Sequence, residues 1–307
     1  MRTLLKLAIS AISAAAILIA LHFPYAVDQP LTDADLEGVR TYYTDAYKQA
    51  PAVPETPPSE FETKYLEVAA RAATLYDVEG QVRSFADIFG LKDKRVLDIG
   101  SGRGYLQDIV EDYTGLDISS SVGRFYHKKF VLGSATAMPF EDNTFDGAWS
   151  VWVQEHVPNP EQFLSEARRV VKNDGVIFLY AAWHSRPWAA QGYQVRPYAD
   201  FDLSGKLIKA SIPIREVADD LARWPIRVIR AFSASFGPTT LRYHRLEPNY
   251  DVYWQADSDA VSGIDPHEAM LWFISRGDEC LNCDVLRGTA GMSLGPLFIR
   301  VHKRLPG

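Results

Sequence analysis

The sequence predicts an α/β fold built on a parallel sheet, and three observations carry the prediction. Residues 95–99 (Arg95-Val96-Leu97-Asp98-Ile99) read as a short apolar strand that ends in an acid and runs into a turn rich in glycine, Gly100, Gly102 and Gly104. Residues 113–118 read as a second strand ending in a second acid, Asp117, nineteen positions after Asp98. That interval is the length of one strand, turn, crossover helix and strand, and such units carry their ligands beyond the carboxyl ends of the strands. The third observation is composition. The 307 residues are 47% hydrophobic and 23% charged, which suits a globular body with a full core.

The first element is of a different material. Arg2 and Lys6 precede an uncharged run from Leu7 to Val27. A bilayer core needs about 20 apolar residues in a helix, so residues 1–27 are expected to form a single-pass transmembrane anchor. A cleaved signal peptide fits the same basic start and apolar middle. Residues 28–58 read as an acidic and proline-rich linker, with Asp28, Asp33, Asp35 and Glu37 followed by four prolines between Pro51 and Pro58.

Helical spacing begins after Ser59, with Tyr65, Val68, Ala69, Ala72, Leu75 and Tyr76 at intervals of three and four. A second helix is expected over Val82 to Phe89, stopped by Gly90. The glycine turn should lead into a helix from Leu106 to Tyr113. Beyond the second strand, Val176–Tyr180 reads as a further strand. Asp265–Arg276 reads as a helix with Pro266 in its first turn, and Glu279–Val285 with Gly295–His302 as a closing hairpin.

The glycine turn excludes one ligand and favours another. A dinucleotide fingerprint starting at Gly100 needs glycine at position 105, where Tyr105 stands. An acid two places before the first glycine would repel a pyrophosphate, but it complements an ammonium group. S-adenosylmethionine has that group and no phosphate. Asp98 can approach its amino group, Gly100 and Gly102 let the backbone come close, and Asp117 can accept from both ribose hydroxyls.

At these residues the chain resembles the class I S-adenosylmethionine-dependent methyltransferases, in the small-molecule branch similar to the ubiquinone and menaquinone methylases. The resemblance continues through Gly133–Asp146, Glu155-His156-Val157 and Glu166–Val171, and covers about Phe61 to Trp183. It implies a Rossmann-like sheet of seven mostly parallel strands, the last antiparallel, with helices on both faces. It implies that Ser101, Gly104, Ile118, Ala135 and Ser150 join Asp98, Gly100, Gly102 and Asp117 at the cofactor. Ser134 stands where the family usually has an acid facing the adenine. His156, Glu155 and His184 follow the fourth and fifth strands, where a base would take a proton from the acceptor.

The domains follow: a body over 59–185 and 263–307, interrupted by an insertion over 186–262 above the active site. Ile214, Val217, Leu221, Val228 and Phe232 keep helical spacing there, interrupted at Pro225; Arg223, Arg227 and Arg230 lie at lipid headgroups, hold an anionic group of the substrate, or form the solvated charged face of a helix packed on the body. Trp183, Trp188, Tyr193, Tyr198 and Trp254 either line a pocket or pack. The acceptor is expected to be a small or lipid-linked molecule at a membrane; the basic Arg2 and Lys6 place the body across the membrane from the cytoplasm, whereas the cytosolic origin of S-adenosylmethionine favours the cytoplasmic face. An inactive, cofactor-binding scaffold is the alternative. The net charge of −7 argues against nucleic acid as a partner. Two cysteines are too few for a zinc site, Asp257-Ser258-Asp259 reads as a loop acid pair, and no metal is expected. Cys280 and Cys283 read as structural or as an incidental disulfide.

Overall fold

The computed structural model describes residues 2–22, 25–30, 32–48, 60–249, 257–283 and 295–303. In chain order the elements are α1 (Arg2–His22), β1 (Tyr25–Ala26), α2 (Asp33–Lys48), α3 (Glu60–Leu75), α4 (Val78–Ile88), β2 (Arg95–Ile99), β3 (Asp112–Asp117), β4 (Lys129–Leu132) and β5 (Phe145–Val151). Then come α5 (Pro160–Val170), β6 (Val171–Tyr180), α6 (Pro187–Ala190), α7 (Leu203–Ala234), β7 (Tyr243–Arg245), β8 (Ser262–Ile264), α8 (Pro266–Ile274), β9 (Glu279–Cys280) and β10 (Leu297–Arg300). They fall into two units. One comprises Asp28–Ala182, Arg276–Asn282 and Gly295–Gly307; the other comprises Met1–Val27, Trp183–Ser275 and Cys283–Leu294.

The first unit is the expected α/β body. Its seven strands lie in the order β4-β3-β2-β5-β6-β10-β9. β4, β3, β2, β5 and β6 pair in parallel, and β10 pairs antiparallel with both β6 and β9. β2 is buried from Val96 to Ile99, as a strand covered on both faces must be, which is why it reads as an unbroken apolar run. The core gathers around Phe85 of α4, whose ring lies 5.4 Å from Phe178 of β6 and 5.1 Å from Phe298 of β10. α5 buries Phe163, Leu164, Ala167 and Val170 on one stripe. On its other side Arg168 reaches the buried Asp278 at 2.7 Å.

The helix expected over Leu106–Tyr113 is absent. The segment is turns and bends, and β3 begins at Asp112. Its polar groups are answered from outside rather than along a helix. Gln107 receives the backbone N–H of His127 at 3.1 Å, and Lys128 donates to the Val110 carbonyl at 2.6 Å. This leaves Leu106, Ile109 and Val110 free to turn into the core. Between β3 and β4 there is only a 3₁₀ turn, Ser120–Phe125, so the helical cover of this end of the sheet is thinner than expected.

Part of the expected linker is also structured. α2 opens on a capping arrangement in which the Thr32 hydroxyl donates to Asp35 at 2.7 Å and receives the Asp35 N–H at 3.2 Å. Its last carbonyls, those of Tyr47 and Lys48, accept from the Arg124 guanidinium at 3.0 and 2.8 Å. The proline run 51–58 lies outside the described residues.

The second unit holds an antiparallel sheet, β1-β7-β8, with α7 and α8. α8, expected as the last helix of the body, belongs to this unit, and it is buried from Pro266 to Phe273. α7 contains Pro213 and runs unbroken through Pro225, where an interruption was expected. Its arginines are also not where the sequence reading put them. Arg227 grips Asp265 through two bonds of 2.9 and 3.0 Å, and Arg230 grips Glu268 through two of 2.8 Å. Arg223 pairs with Asp219 one turn away. These three cations therefore face inward, while Leu207, Ile214, Val217, Trp224 and Phe232 of the same helix are exposed.

α1 forms where the anchor was expected and packs along α7, with Leu4, Leu5, Leu7, Ile9 and Ile12 exposed. Among the described residues, however, no helix is long and apolar enough to cross a membrane, so the expected transmembrane span is not supported. Trp183 and Trp188 are buried, and Tyr193 stacks on Phe201 at 4.7 Å, so these aromatic residues pack. Tyr198 is exposed, and Trp254 lies outside the described residues. Both cysteines are disulfide-bonded.

Candidate active site

A cleft opens in the α/β body at the carboxyl ends of the strands. It sits where the strand order reverses, with β3 and β4 laid down on one side of β2 and β5 and β6 on the other. That is the switch point at which open α/β sheets bind ligands. Its floor is Gly100 after β2, Leu116-Asp117-Ile118 at the end of β3, and Gly133–Thr136 after β4. Trp152, Val153, His156, Val157 and Pro158 follow β5 and form one wall. The other wall is α2, through Leu36, Val39, Tyr43 and Tyr47.

The glycine turn has the geometry its sequence demands. Gly100 and Gly102 have φ of 71° and 48°. A Cβ on Gly100 would run into the Val153 side chain, and one on Gly102 would come within 2.9 Å of the Tyr47 hydroxyl. The Tyr126 hydroxyl holds the turn from behind, at 2.7 Å from Ser101 Oγ and 2.8 Å from the Gly102 carbonyl.

Asp117 receives two backbone N–H groups, Gly102 on Oδ2 and Ser119 on Oδ1, each at 2.8 Å. Burial pushes its carboxyl above the usual range, and these two donors pull it back in part. Each oxygen keeps a second lone pair for a ligand donor. Ser134 Oγ lies 2.9 Å from the Thr136 hydroxyl and receives the Thr136 N–H at 3.2 Å.

Asp98 does not line the cleft. It is 3% exposed, and its Oδ2 accepts from the Tyr113 hydroxyl at 2.7 Å. Burial pushes its carboxyl up to about 7, against the hydrogen bond from Tyr113. A buried acid that titrates near neutrality is the kind of group found at functional sites.

The other expected residues divide. Gly100, Asp117, Ile118, Ser134, Ala135 and His156 are brought together on the cleft surface; Ser101, Gly102, Gly104, Ser150 and Glu155 do not line it. Ser150 is buried and its hydroxyl bonds to the Ile99 carbonyl at 3.1 Å. Glu155 is buried behind His156, with 3.8 Å between the carboxylate and Nε2. The His156 ring meets Tyr43 edge to face at 5.8 Å. His184 lies in the other unit and lines a separate pocket there. Sequence reasoning missed α2 altogether. The signal was present, since Leu36, Val39, Tyr43 and Tyr47 recur at three and four along a helix.

Comparison with known proteins identifies the framework. A family model described as a methyltransferase domain matches residues 97–179, from β2 to the end of β6. The chain is similar to a sterol 24-C-methyltransferase of Gibberella zeae, 31% identical over 54% of this chain and 46% of the relative. It is 29% identical to a fatty-acid O-methyltransferase of Mycolicibacterium smegmatis over 55% of this chain and 67% of the relative. It is 36% identical to a 2-methyl-6-phytyl-1,4-hydroquinone methyltransferase of Synechocystis over 30% of this chain and 32% of the relative. The match thus spans less than half of two of these relatives and about two thirds of the third. With the seven-stranded sheet and the cleft at its switch point, these matches identify a class I S-adenosylmethionine-dependent methyltransferase domain, whose cofactor is S-adenosylmethionine.

Proposed function

We propose that the protein transfers a methyl group from S-adenosylmethionine to an oxygen, nitrogen or carbon nucleophile of a small apolar or lipid-associated acceptor at a membrane surface. The observation that carries this reading is the convergence of Gly100, Asp117, Ser134 and His156 on one cleft. The residues fit the cofactor. Asp117 has lone pairs to spare for two ribose hydroxyls, and Ser134 and Ala135 stand where the adenine would lie. Asp98, beneath the turn, supplies the negative charge that an ammonium group would hold ionised. The bound cofactor supplies an electrophilic methyl carbon on a sulfonium, so the protein's task is mainly alignment.

His156 is the cleft residue able to accept a proton from an oxygen or nitrogen nucleophile at its imidazole. Glu155 behind it would favour the imidazolium so formed. The wall formed by Leu36, Val39, Tyr43, Trp152, Val157 and Pro158 excludes water and suits an apolar acceptor. The relatives' names point the same way, to sterols, a fatty acid and a phytylated hydroquinone. The membrane setting is supported by the outward apolar faces of α1 and α7, which suit a helix lying in the interface rather than spanning it. The cytoplasmic leaflet is the side on which the cofactor is made.

The test supplies methyl-labelled cofactor together with total lipid extract or with the aqueous metabolite fraction. Label in the organic phase, dependent on His156, supports the reading. Label only in water-soluble products removes the lipid acceptor and leaves methyl transfer standing. Full cofactor binding with no transfer to either fraction supports a scaffold instead.

A further inference from the structure

Two tyrosines stand beneath the glycine turn, Tyr113 on β3 and Tyr126 on the segment before β4, and neither lines the cleft. The Tyr126 ring fits because two side chains are missing around it. A Cβ on Gly104 would come within 2.8 Å of that ring, and one on Gly115 within 2.6 Å. Gly104 also has φ of 70°, so the residue serves the turn and the ring behind it rather than the cleft surface. A Cβ on Gly115 would in addition lie 2.8 Å from Ser101 Oγ and 3.2 Å from the Tyr113 hydroxyl. One missing side chain thus opens a space into which three hydroxyl-bearing residues converge.

The two phenols do different things there. Tyr126 holds the turn itself, through Ser101 Oγ at 2.7 Å and the Gly102 carbonyl at 2.8 Å. Tyr113 holds the acid below the turn, donating to Oδ2 of Asp98 at 2.7 Å. Burial, with the charge of Asp98, pushes both phenols well above their ordinary range, so both remain donors. The groups that face Asp98 are Tyr113 and Asp117 of β3, Tyr126, and on β5 the uncharged Trp149, whose ring lies 6.2 Å from that of Tyr113. None of these is a cation. Burial pushes the Asp98 carboxyl up to about 7, the Tyr113 hydroxyl pulls against it, and Asp117 adds to the rise.

Only the ionised acid complements an ammonium group, and a donor on Oδ2 favours that form while leaving Oδ1 for the ligand. We propose that Tyr113 is a positioning residue for the cofactor, holding Asp98 so that entry of the ammonium group expels the Asp98 proton to solvent. The proposal rests on the cofactor lying in the cleft above Gly100. One proton leaves Asp98 for bulk water as one cation arrives, and the ammonium keeps its own protons. Affinity therefore rises with pH while the empty site holds the proton, and levels off once the acid is already ionised. Removing the Tyr113 hydroxyl makes that ionisation harder. Once the acid is ionised, the lost bond is missing from the empty and the occupied site alike, and it cancels. The loss of affinity is thus confined to the acid side, which a loss of packing would not produce.

The experiment titrates the full chain, Tyr113→Phe and Asp98→Asn with S-adenosylmethionine by calorimetry between pH 5.5 and 7.5, below the range of about 7.7–8.0 in which an α-amino group loses its charge. Buffers of different ionisation enthalpy count the protons released. The parent should release close to one proton per cofactor at pH 6 and bind about fivefold more tightly at pH 7 than at pH 6. Tyr113→Phe, which keeps the ring, should bind about tenfold more weakly than the parent at pH 6, and the gap should narrow to about threefold at pH 7.5. Asp98→Asn should release no proton, a count that needs no tyrosine variant. A Tyr113→Phe deficit of the same size at every pH, or no deficit, overturns the proposal. So does proton release that survives in Asp98→Asn, which places the titration in another group. Saturable binding by the parent with no proton release overturns this proposal alone, whereas no binding by the parent at any pH overturns the cofactor cleft and the proposal with it.

Discussion

The Tyr113 hydroxyl donates to Oδ2 of Asp98 at 2.7 Å, and both residues are buried beneath the glycine turn. The pair costs the empty fold stability at neutral pH. Burial raises the Asp98 carboxyl from 3.8 to about 7, so between those values the folded chain holds a proton that the unfolded chain has released. Stability conferred by this group is complete below pH 4 and declines as pH rises toward 7, by about 4 kcal/mol at most. Asp98→Asn, which copies the protonated acid, should therefore match the parent in urea denaturation at pH 4 and exceed it at pH 8. The same substitution should lower S-adenosylmethionine affinity at least tenfold, because the ammonium loses its counter-charge. A variant that is no more stable at pH 8 would show that the acid is ionised at little cost.

The clamp on α2 makes a second prediction. Arg124 caps the carbonyls of Tyr47 and Lys48, and Tyr47 lies over Gly102. Arg124→Gln should loosen the helix by about 1 kcal/mol, since the cap is exposed and charge-assisted. Hydrogen exchange over residues 33–48 should accelerate about fivefold, and cofactor affinity should fall by a similar factor. Exchange confined to the parent rate would mean that the helix is held by its apolar face alone.

His156 is expected to act on turnover. His156→Ala should reduce the rate of methyl transfer to an oxygen or nitrogen acceptor by about 10²–10⁴ and leave cofactor affinity within about twofold. Equal losses in both quantities would assign the histidine to cofactor binding. An unchanged rate would point to a carbon nucleophile or to a base on the acceptor.

Most of the sheet was legible because its signals are local. The acid-and-glycine turn, the second acid and the apolar strands each sit within a few residues, and the antiparallel run of the last strand followed from the resemblance. The helix after the turn was not legible, because the groups that replace it, Gln107 bonding to His127 and Lys128 to Val110, come from both sides of β3. The inward turn of the α7 arginines depends on partners 38 residues away, Asp265 and Glu268, so helical spacing alone could not distinguish the charged face from the outer one. α2 was readable in principle. Its first-turn acids and the prolines after it drew attention to composition, although the stripe Leu36, Val39, Tyr43, Tyr47 was present.

Acid should destabilise the second unit in a way one residue can report. His267 is buried in α8, and neither of its ring nitrogens has a hydrogen-bond partner among the described residues. Burial lowers it from 6.5 to about 4, against the pull of Asp265. The unfolded chain thus binds a proton first as pH falls, so the contribution is complete above 6.5 and is lost on the way down to 4. That loss amounts to about 3 kcal/mol. His267→Leu should unfold less readily than the parent at pH 4, by a margin of that order relative to pH 7.5. Parallel pH profiles for the two proteins would place the titration elsewhere.

The central claim is that the cleft holding Gly100, Asp117 and Ser134 is where S-adenosylmethionine binds. Calorimetric titration of the full chain and of Asp117→Ala with S-adenosylmethionine tests it most directly. The account predicts one saturable site in the parent and an affinity at least tenfold weaker in the variant, with circular dichroism unchanged. Equal affinities in two equally folded proteins, or no binding by the parent, would contradict it.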